Sequence, residues 1–328
     1  MSESTTVSVI IPTYNRVDVV RRTLRQLQDQ DHPNHLYEII VVDNSSDTTP
    51  DMVREVASGS QVTITLIDDS PPLPAIKRNV GIKAASGDLC WFINDDVWFA
   101  PDAMSEHIAS HEAHDEPVAV LGHCRQSPEM DQTPFVSAYQ PFAYEQMADL
   151  ADQPVPYHFF WSMNLTLPRE TMLARNLLFH EDWRYIGHED VELGYRWTSA
   201  GYDAIYNPRS TGDHFHPHTV SSASRLQHSI GRGLRDLESL IDDEQLLERY
   251  GILHRNATAK AKVRGALRHS IFNRATVGPA TSWLEGQSDR SRVADWMYWK
   301  VLLHHTNRGY REEAARTVSR RPLQMSSS

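Results

Sequence analysis

The stretch WFINDDVWF, Trp91 to Phe99, sets an amide and two carboxylates, Asn94, Asp95 and Asp96, inside an apolar and aromatic run. Adjacent carboxylates repel unless something positive joins them. A divalent cation, Mg²⁺ or Mn²⁺, held by few protein oxygens and completed by phosphate oxygens, meets that need. A simple Asp turn leading into a helix near Pro101 is the competing reading. Asp43 and Asn44 follow another apolar run, where a carboxylate can accept hydrogen bonds from a nucleobase imide or a ribose hydroxyl, or close a turn. Lys77 and Arg78 lie on a predicted helix ahead of the NDD segment, and either could neutralise a diphosphate, whereas Lys83 reads as solvated helix face. In GHEDVELGYRW, Glu189 and Asp190 open a predicted helix that continues through Glu192 and Arg196. Either acid could act as a general base or merely favour the helix dipole. His214, His216 and His218 alternate in GDHFHPHT and would share one face of an extended segment, which allows metal ligation. Pro217 speaks against a regular strand, and on the residues alone a surface turn is the simpler reading.

Such groups need a frame that delivers them to one place. Four apolar runs each end in a polar cluster: VSVII (7–11) before PTYNR, EIIVV (38–42) before DNSSD, VTITLI (62–67) before DDSPP, and LCWFI (89–93) before NDD. Helical patterns lie between them, with Val17, Val20, Leu24 and Leu27 at helical spacing, a second helix near Pro50 and a third over roughly 75–86. The alternation predicts a mainly parallel sheet flanked by helices, whose ligands bind beyond the carboxyl ends of the strands. Residues 111–219 are less regular and rich in aromatics and histidine, and read as a continuation of the sheet with long loops, including a short strand AIY. From about 221 the pattern is helical, with Leu226, Ile230, Leu234, Leu237, Leu240 and Ile241 on one face and a further helix over 292–305.

A chain of 328 residues with 40% apolar and 23% charged residues, and a mean hydropathy of -0.50, has the make-up of a soluble globular protein of one large domain or two joined ones. Its net charge of -11 argues against nucleic-acid backbone binding. With only Cys90 and Cys124 there is no disulfide framework and no cysteine-rich zinc motif, as in a reducing cytoplasm. The start MSESTTVSV lacks a signal-peptide pattern and no run reaches membrane-spanning length, so the expectation is a cytoplasmic protein, with peripheral membrane contact left open.

Taken in order, VSVIIPTYNR, EIIVVDNSSDTT, AIKRNVGIKAASGDLCWFINDDV, GHEDVELGYR and DHFHPHT resemble the inverting family 2 glycosyltransferases, over about residues 7–219. The resemblance implies the GT-A fold, a Rossmann-like α/β domain over 1–219, with a nucleotide-sugar half (1–110), an acceptor half (111–219) and a helical extension (220–328). It implies a nucleotide-sugar donor, with UDP-sugars first and dTDP-rhamnose and GDP-sugars as competitors. Pro12, Thr13, Tyr14, Asn15 and Asp43 would surround its nucleobase and ribose, and Arg78 would lie near its diphosphate. NDD stands where the family has DxD. Asp96 would coordinate the cation, Asp95 is the middle residue, and Asn94 replaces the usual first Asp. Asp190 of the ED motif would be the catalytic base, with Glu189 its neighbour. His214 would complete the metal site, with His216 the close competitor, which reverses the turn reading above. Trp161 and Asn164 stand where relatives line the sugar or acceptor pocket.

The implied enzyme moves a sugar to an acceptor hydroxyl on a glycan, a lipid-linked sugar or a natural product. A retaining GT-A transferase, a nucleotidyltransferase and a non-catalytic nucleotide-sugar binder are the alternatives. The C-terminal helices would pack on the catalytic domain, cover the acceptor or form a homodimer.

Overall fold

The computed structural model describes residues 5–68, 70–139, 144–241, 243, 245–252, 273, 275–289 and 293–320. In chain order its first half runs β1 (Val7–Thr13), α1 (Val17–Leu27), β2 (Tyr37–Asp43), α2 (Thr49–Ser58), β3 (Thr63–Ile67), α3 (Pro74–Ala84), β4 (Leu89–Ile93), β5 (Val97–Phe99) and α4 (Ala103–Glu112). Then come β6 (Ala119–Gln126), α5 (Pro134–Ala138), β7 (Asn164–Pro168), α6 (Arg169–Ala174), α7 (Glu189–Ser199) and β8 (Ala204–His214). The described chain closes with α8 (Val220–Leu240), α9 (Leu246–Arg249), α10 (Val277–Glu285) and α11 (Asp295–Arg320).

These residues fall into two compact units, one drawn from Met1–Met130, Phe142–Asp182 and Glu189–His216, the other from Asp131–Pro141, Trp183–His188 and Pro217–Ser328. The first unit is built on one eight-stranded sheet in the order β3-β2-β1-β4-β7-β6-β8-β5. β1 is apolar but for Ser8 and Thr13 and nearly all buried, as a strand covered on both faces requires. Its parallel neighbours are β2 and β4, so the strand order reverses at β1 and the carboxyl ends of all three open on one edge. Thr13 is thereby registered with Asp43. The expected parallel character holds from β3 to β4, while β7 runs antiparallel to both its neighbours and the sheet becomes mixed.

The expected short strand AIY is in fact the start of the eleven-residue β8. The turn-like NPRSTG does not end the strand, because β8 bulges there: its register against β6 shifts between Gly122 and His123. Beyond the bulge β8 pairs with β5, which sets Val97 opposite His214. The NDD turn and the histidine segment are thus joined through strand pairing.

Asn164, expected in the sugar or acceptor pocket, lies instead wholly inside the core. Its Oδ1 accepts from Trp91 Nε1 at 2.9 Å and lies 2.8 Å from His107 Nε2, and its Nδ2 donates to the Ser210 carbonyl at 3.1 Å. His107 Nδ1 is 3.0 Å from Thr166 Oγ1, which is also 2.8 Å from His111 Nε2. Neutral imidazoles that donate from Nε2 satisfy this set, and burial favours them, pushing His107 down to about 4 and His111 to about 3.

In the second unit, α8 begins at a capping box made by Thr219 and Ser222. It crosses α11 closely, since a Cβ at Gly231 would fall on the Thr306 carbonyl and one at Gly309 on that of His228. Phe135, Ala138 and Tyr139 share this unit's core with Val220, Ala223, Tyr298 and Val301. That packing explains why segment 131–141, within the span of the resemblance, belongs with the C-terminal helices. No helix among the described residues is long and apolar enough to cross a membrane.

Candidate active site

Three loops at the carboxyl edge of the sheet are tied to one another before any ligand is considered. Thr13 ends β1 and donates its hydroxyl to Asp95 Oδ2 at 2.7 Å. Asp43 ends β2, and its Oδ1 takes both the Ser45 amide (2.9 Å) and hydroxyl (2.6 Å). Asn15 adopts φ 51, a left-handed conformation that asparagine tolerates, and its Oδ1 accepts the Ser46 amide at 2.8 Å. Lys77 is buried and donates to the Thr13 carbonyl and to Asn44 Oδ1, so it is spent on holding the ends of β1 and β2 together. Burial lowers its pKa, against the pull of Asp43 and Asp95. Asp43 Oδ2 is buried without a hydrogen bond, and Tyr14 is exposed after Pro12 and Thr13, the pair of free groups on this edge that could meet a base and a ribose.

Asp95 and Asp96 are both buried. Asp96 Oδ2 lies 2.6 Å from His216 Nδ1 and 3.0 Å from Arg16, and its Oδ1 lies 3.3 Å from His214 Nε2 but makes no hydrogen bond. One carboxylate and two imidazoles thus bring ligand atoms within 4.8 Å of one another, so both His214 and His216 join Asp96 where the sequence left a choice between them. His218 belongs to the second unit, where its ring meets Tyr139 edge-on at 5.2 Å. The donor set, with a buried carboxylate oxygen left over, fits a divalent cation, and its imidazole content suits Mn²⁺ better than the oxygen-preferring Mg²⁺.

The two acids are driven apart electrostatically. Burial and then the charge of Asp96 push Asp95 up to about 6, against Arg16 and Thr13. Burial also works to raise Asp96, but His214, His216 and Arg16 outweigh it and hold this carboxyl well below the usual range. Arg16, 3.4 Å from Asp95 Oδ1 as well, is a site residue that the motif reading passes over, although it stands directly after PTYN. Phe215, between the two histidines, is another. Its amide donates to the Asp96 carbonyl at 2.8 Å and its ring stacks on Trp98 with centroids 4.6 Å apart, which fixes the turn carrying both imidazoles.

Arg78 is buried on α3. It donates to Glu189 Oε1 at 2.8 Å and to Asn94 Oδ1 at 3.3 Å, while its Nε has no partner. Asn79 grips both backbone groups of Phe179 (2.8 and 2.9 Å), whose ring lies under Arg78. Burial raises the pKa of Glu189 and the neighbouring Asp190 adds to it, opposed by Arg78. Glu189 thus lies in a buried ion pair with Arg78. Asp190 is half-buried: its Oδ2 accepts from both the amide (3.0 Å) and the hydroxyl (3.1 Å) of Ser162, and its Oδ1 from the Val191 amide (2.9 Å). Ser162 has no motif to announce it and is found only from this geometry. Trp161, beside it in sequence, packs on Phe159 and Tyr144. Glu192 and Arg196 pair with each other along α7, and the exposed Lys83 pairs with Glu181.

Residues 8–168 match the model of glycosyl transferase family 2. Among curated proteins, the chain is 28% identical over 263 residues to validoxylamine A glucosyltransferase of Streptomyces hygroscopicus subsp. jinggangensis, covering 72% of this chain and 62% of that one. The chain thus spans about three fifths of that relative's length. Among solved structures, the mannosyltransferase PcManGT from Pyrobaculum calidifontis, in complex with GDP-Man and Mn²⁺, superposes with a TM-score of 0.64 at 18% identity, covering 95% of this chain and 87% of that one. Residues 1–349 of Staphylococcus aureus TarS, in complex with UDP-GlcNAc, give a TM-score of 0.52 at 15% identity over 94% and 92% of the two chains. These two likenesses establish the fold.

Proposed function

From the match of residues 8–168 to glycosyl transferase family 2 and the likeness of the fold to that of solved glycosyltransferases, we propose that the chain is an inverting, divalent-cation-dependent transferase that moves a sugar from a nucleotide-sugar to an acceptor hydroxyl. The observation that carries this reading is the meeting of Asp96, His214 and His216 at the end of β4, beside the switch point of the sheet. A cation bound there would act as a Lewis acid on the departing diphosphate. Asp43 Oδ2 and the exposed Tyr14 would receive the base and ribose, with Pro12, Thr13 and Asn15 shaping that edge. Arg78 and Arg16 would add fixed positive charge where the diphosphate gains negative charge.

Asp190 would take the proton of the acceptor hydroxyl as that oxygen bonds to the anomeric carbon. The bond from this carbon to the diphosphate oxygen breaks, its electron pair leaves with the nucleoside diphosphate, and configuration inverts. Two hydrogen bonds from Ser162 fix one oxygen of Asp190 and so aim the other. The names of the relatives support a hexosyl group as cargo, and UDP-sugars lead the candidate donors. The acceptor class is a hydroxyl of a glycan, a lipid-linked sugar or a natural product.

The test is a panel of UDP-, GDP- and dTDP-sugars with and without Mn²⁺, read by thermal shift and by release of nucleoside diphosphate. A shift that needs both nucleotide-sugar and Mn²⁺, and disappears in Asp96→Asn, is the expected result. Absence of any nucleotide binding, or an Asp96→Asn variant that behaves as wild type, would overturn the assignment.

A further inference from the structure

The second unit contains a cavity of about 480 Å³ between α8, α10 and α11, lined by Ser224, Arg225, His228, Thr281, His305 and Arg308 among others. Its lining carries two guanidiniums, two imidazoles and several hydroxyls, and no carboxylate. Arg225 is exposed and has neither a hydrogen bond nor an ion pair among the described residues. Ser224 is 4% exposed, and its Oγ has no hydrogen-bond partner although it borders the cavity. A buried hydroxyl with nothing to bond is destabilising, so a polar ligand at this wall would satisfy it.

The local potential is positive. His305 is pushed down to about 4, first by burial and then by the charges of His304, Arg308 and His228. One carboxylate answers this charge from outside the lining, since Glu312 accepts from Arg308 Nε and lies against His228 Nε2, each at 2.8 Å. Glu285 is occupied by the amide and hydroxyl of Ser221 (3.0 and 2.6 Å). Among the described residues, Arg225 is therefore the cation of this lining without a counter-charge, and the Ser224 hydroxyl lies one residue before it on α8.

We propose that this cavity binds a phosphoryl group, with Arg225 and Arg308 as its counter-charges and Ser224 and the imidazoles as hydrogen-bond donors. A guanidinium offers a planar pair of N–H donors that match phosphate oxygens, which favours a phosphate monoester or diphosphate over a carboxylate of the same charge. The cavity is large enough for a phosphorylated sugar or the headgroup of a phospholipid, and the chemistry at its wall is common to both. It lies within the helical unit and does not use any of the residues assigned to the donor.

The experiment uses the full chain. Glycerol 3-phosphate and inorganic phosphate are titrated by calorimetry at constant ionic strength. In parallel, sedimentation is measured with phosphatidylcholine vesicles carrying phosphatidic acid, against phosphatidylcholine alone. Saturable binding of the soluble phosphates marks a free metabolite as the ligand, and binding only to the phosphatidic acid vesicles marks a lipid headgroup. In either case Arg225→Gln should weaken binding at least tenfold and Ser224→Ala several-fold, with UDP binding in the presence of Mn²⁺ unchanged in both. Arg225 is exposed and unpaired, so its replacement should leave the melting temperature within a degree. No saturable binding in either arm overturns the proposal, as does binding that survives Arg225→Gln but is lost in Asp96→Asn.

Discussion

Glu189→Gln tests whether Glu189 is a counter-charge or a base. The side chains of Arg78 and Glu189 are only 4% and 7% exposed and meet at 2.8 Å. Removing one member of a buried pair costs about 3–5 kcal/mol, because the other charge is left without a partner. Glutamine keeps the shape and an acceptor oxygen, and Asn94 Oδ1 still reaches Arg78 at 3.3 Å, so the low end applies. The expected loss is about 3 kcal/mol, or roughly 6–12 °C in melting temperature for a unit of this size. Arg78→Met strands Glu189 instead. Its carboxyl is already raised above the ordinary 4.5 by burial and by Asp190, and would rise further without Arg78. A raised folded-state pKa gives stability that is present below the unfolded value and lost as pH climbs through the folded one. The deficit of Arg78→Met should therefore grow from pH 5 to pH 8. In urea titrations followed by tryptophan fluorescence, the double variant should lose less than the two singles added, with a coupling of about 3 kcal/mol. Additivity within about 0.5 kcal/mol would refute the reasoning.

Asp190→Asn should lower turnover by a factor of about 10²–10⁴ and leave the melting temperature within a few degrees; near-normal turnover would remove it as the base and favour a retaining reaction. Activity should depend on Mn²⁺ more strongly than on Mg²⁺, and His214→Ala and His216→Ala should each raise the Mn²⁺ concentration needed for half-maximal rate, whereas a purely structural turn would leave that concentration unmoved. The neutral His107 and His111, held near 4 and 3 against an ordinary 6.5, give stability that is present above pH 6.5 and lost as pH falls towards those values. His111→Gln should make the loss shallower by about 1.4 kcal/mol per pH unit below pH 6, read from urea midpoints. Gly122→Ala drives a methyl onto Asn164 Nδ2 and to 2.8 Å from the Ser210 carbonyl, so it should cost about 3 kcal/mol in the same assay.

Strands β1, β2 and β4 were legible because strands covered on both faces are apolar almost throughout, β3 by its alternation, and the predicted LCWFI is β4 residue for residue. The chain beyond β7 was harder to see. NPRSTG carries proline, glycine and four polar residues that suit a turn, yet β8 runs through it by bulging against β6, and strand pairing is not a local property. The resemblance set Asn164 in a sugar or acceptor pocket, whereas the positions of Trp91, His107 and Ser210, which no local pattern gives, hold it in a buried network. Lys77 and Arg78 read as cations free for a diphosphate, but both are buried, as is Asn79 beside them, and each is held by partners from other loops. Arg16 was hidden by its ordinariness: a cation after a turn has no meaning until two carboxylates 79 and 80 positions later are folded against it.

The amide at Asn94 is explained by counting charge at this edge. Among the described residues, Asp43, Asp95, Asp96, Glu189 and Asp190 bring five carboxylates, against Arg16, Lys77 and Arg78. Arg16 serves Asp95 and Asp96, Lys77 faces Asp43 and Asp95, and the guanidinium of Arg78 is engaged by Glu189. A further carboxylate at position 94 would lie beside the buried Arg78–Glu189 pair and one residue from Asp95, which burial and then the charge of Asp96 already push up to about 6. An amide oxygen takes an N–H of Arg78 without adding negative charge.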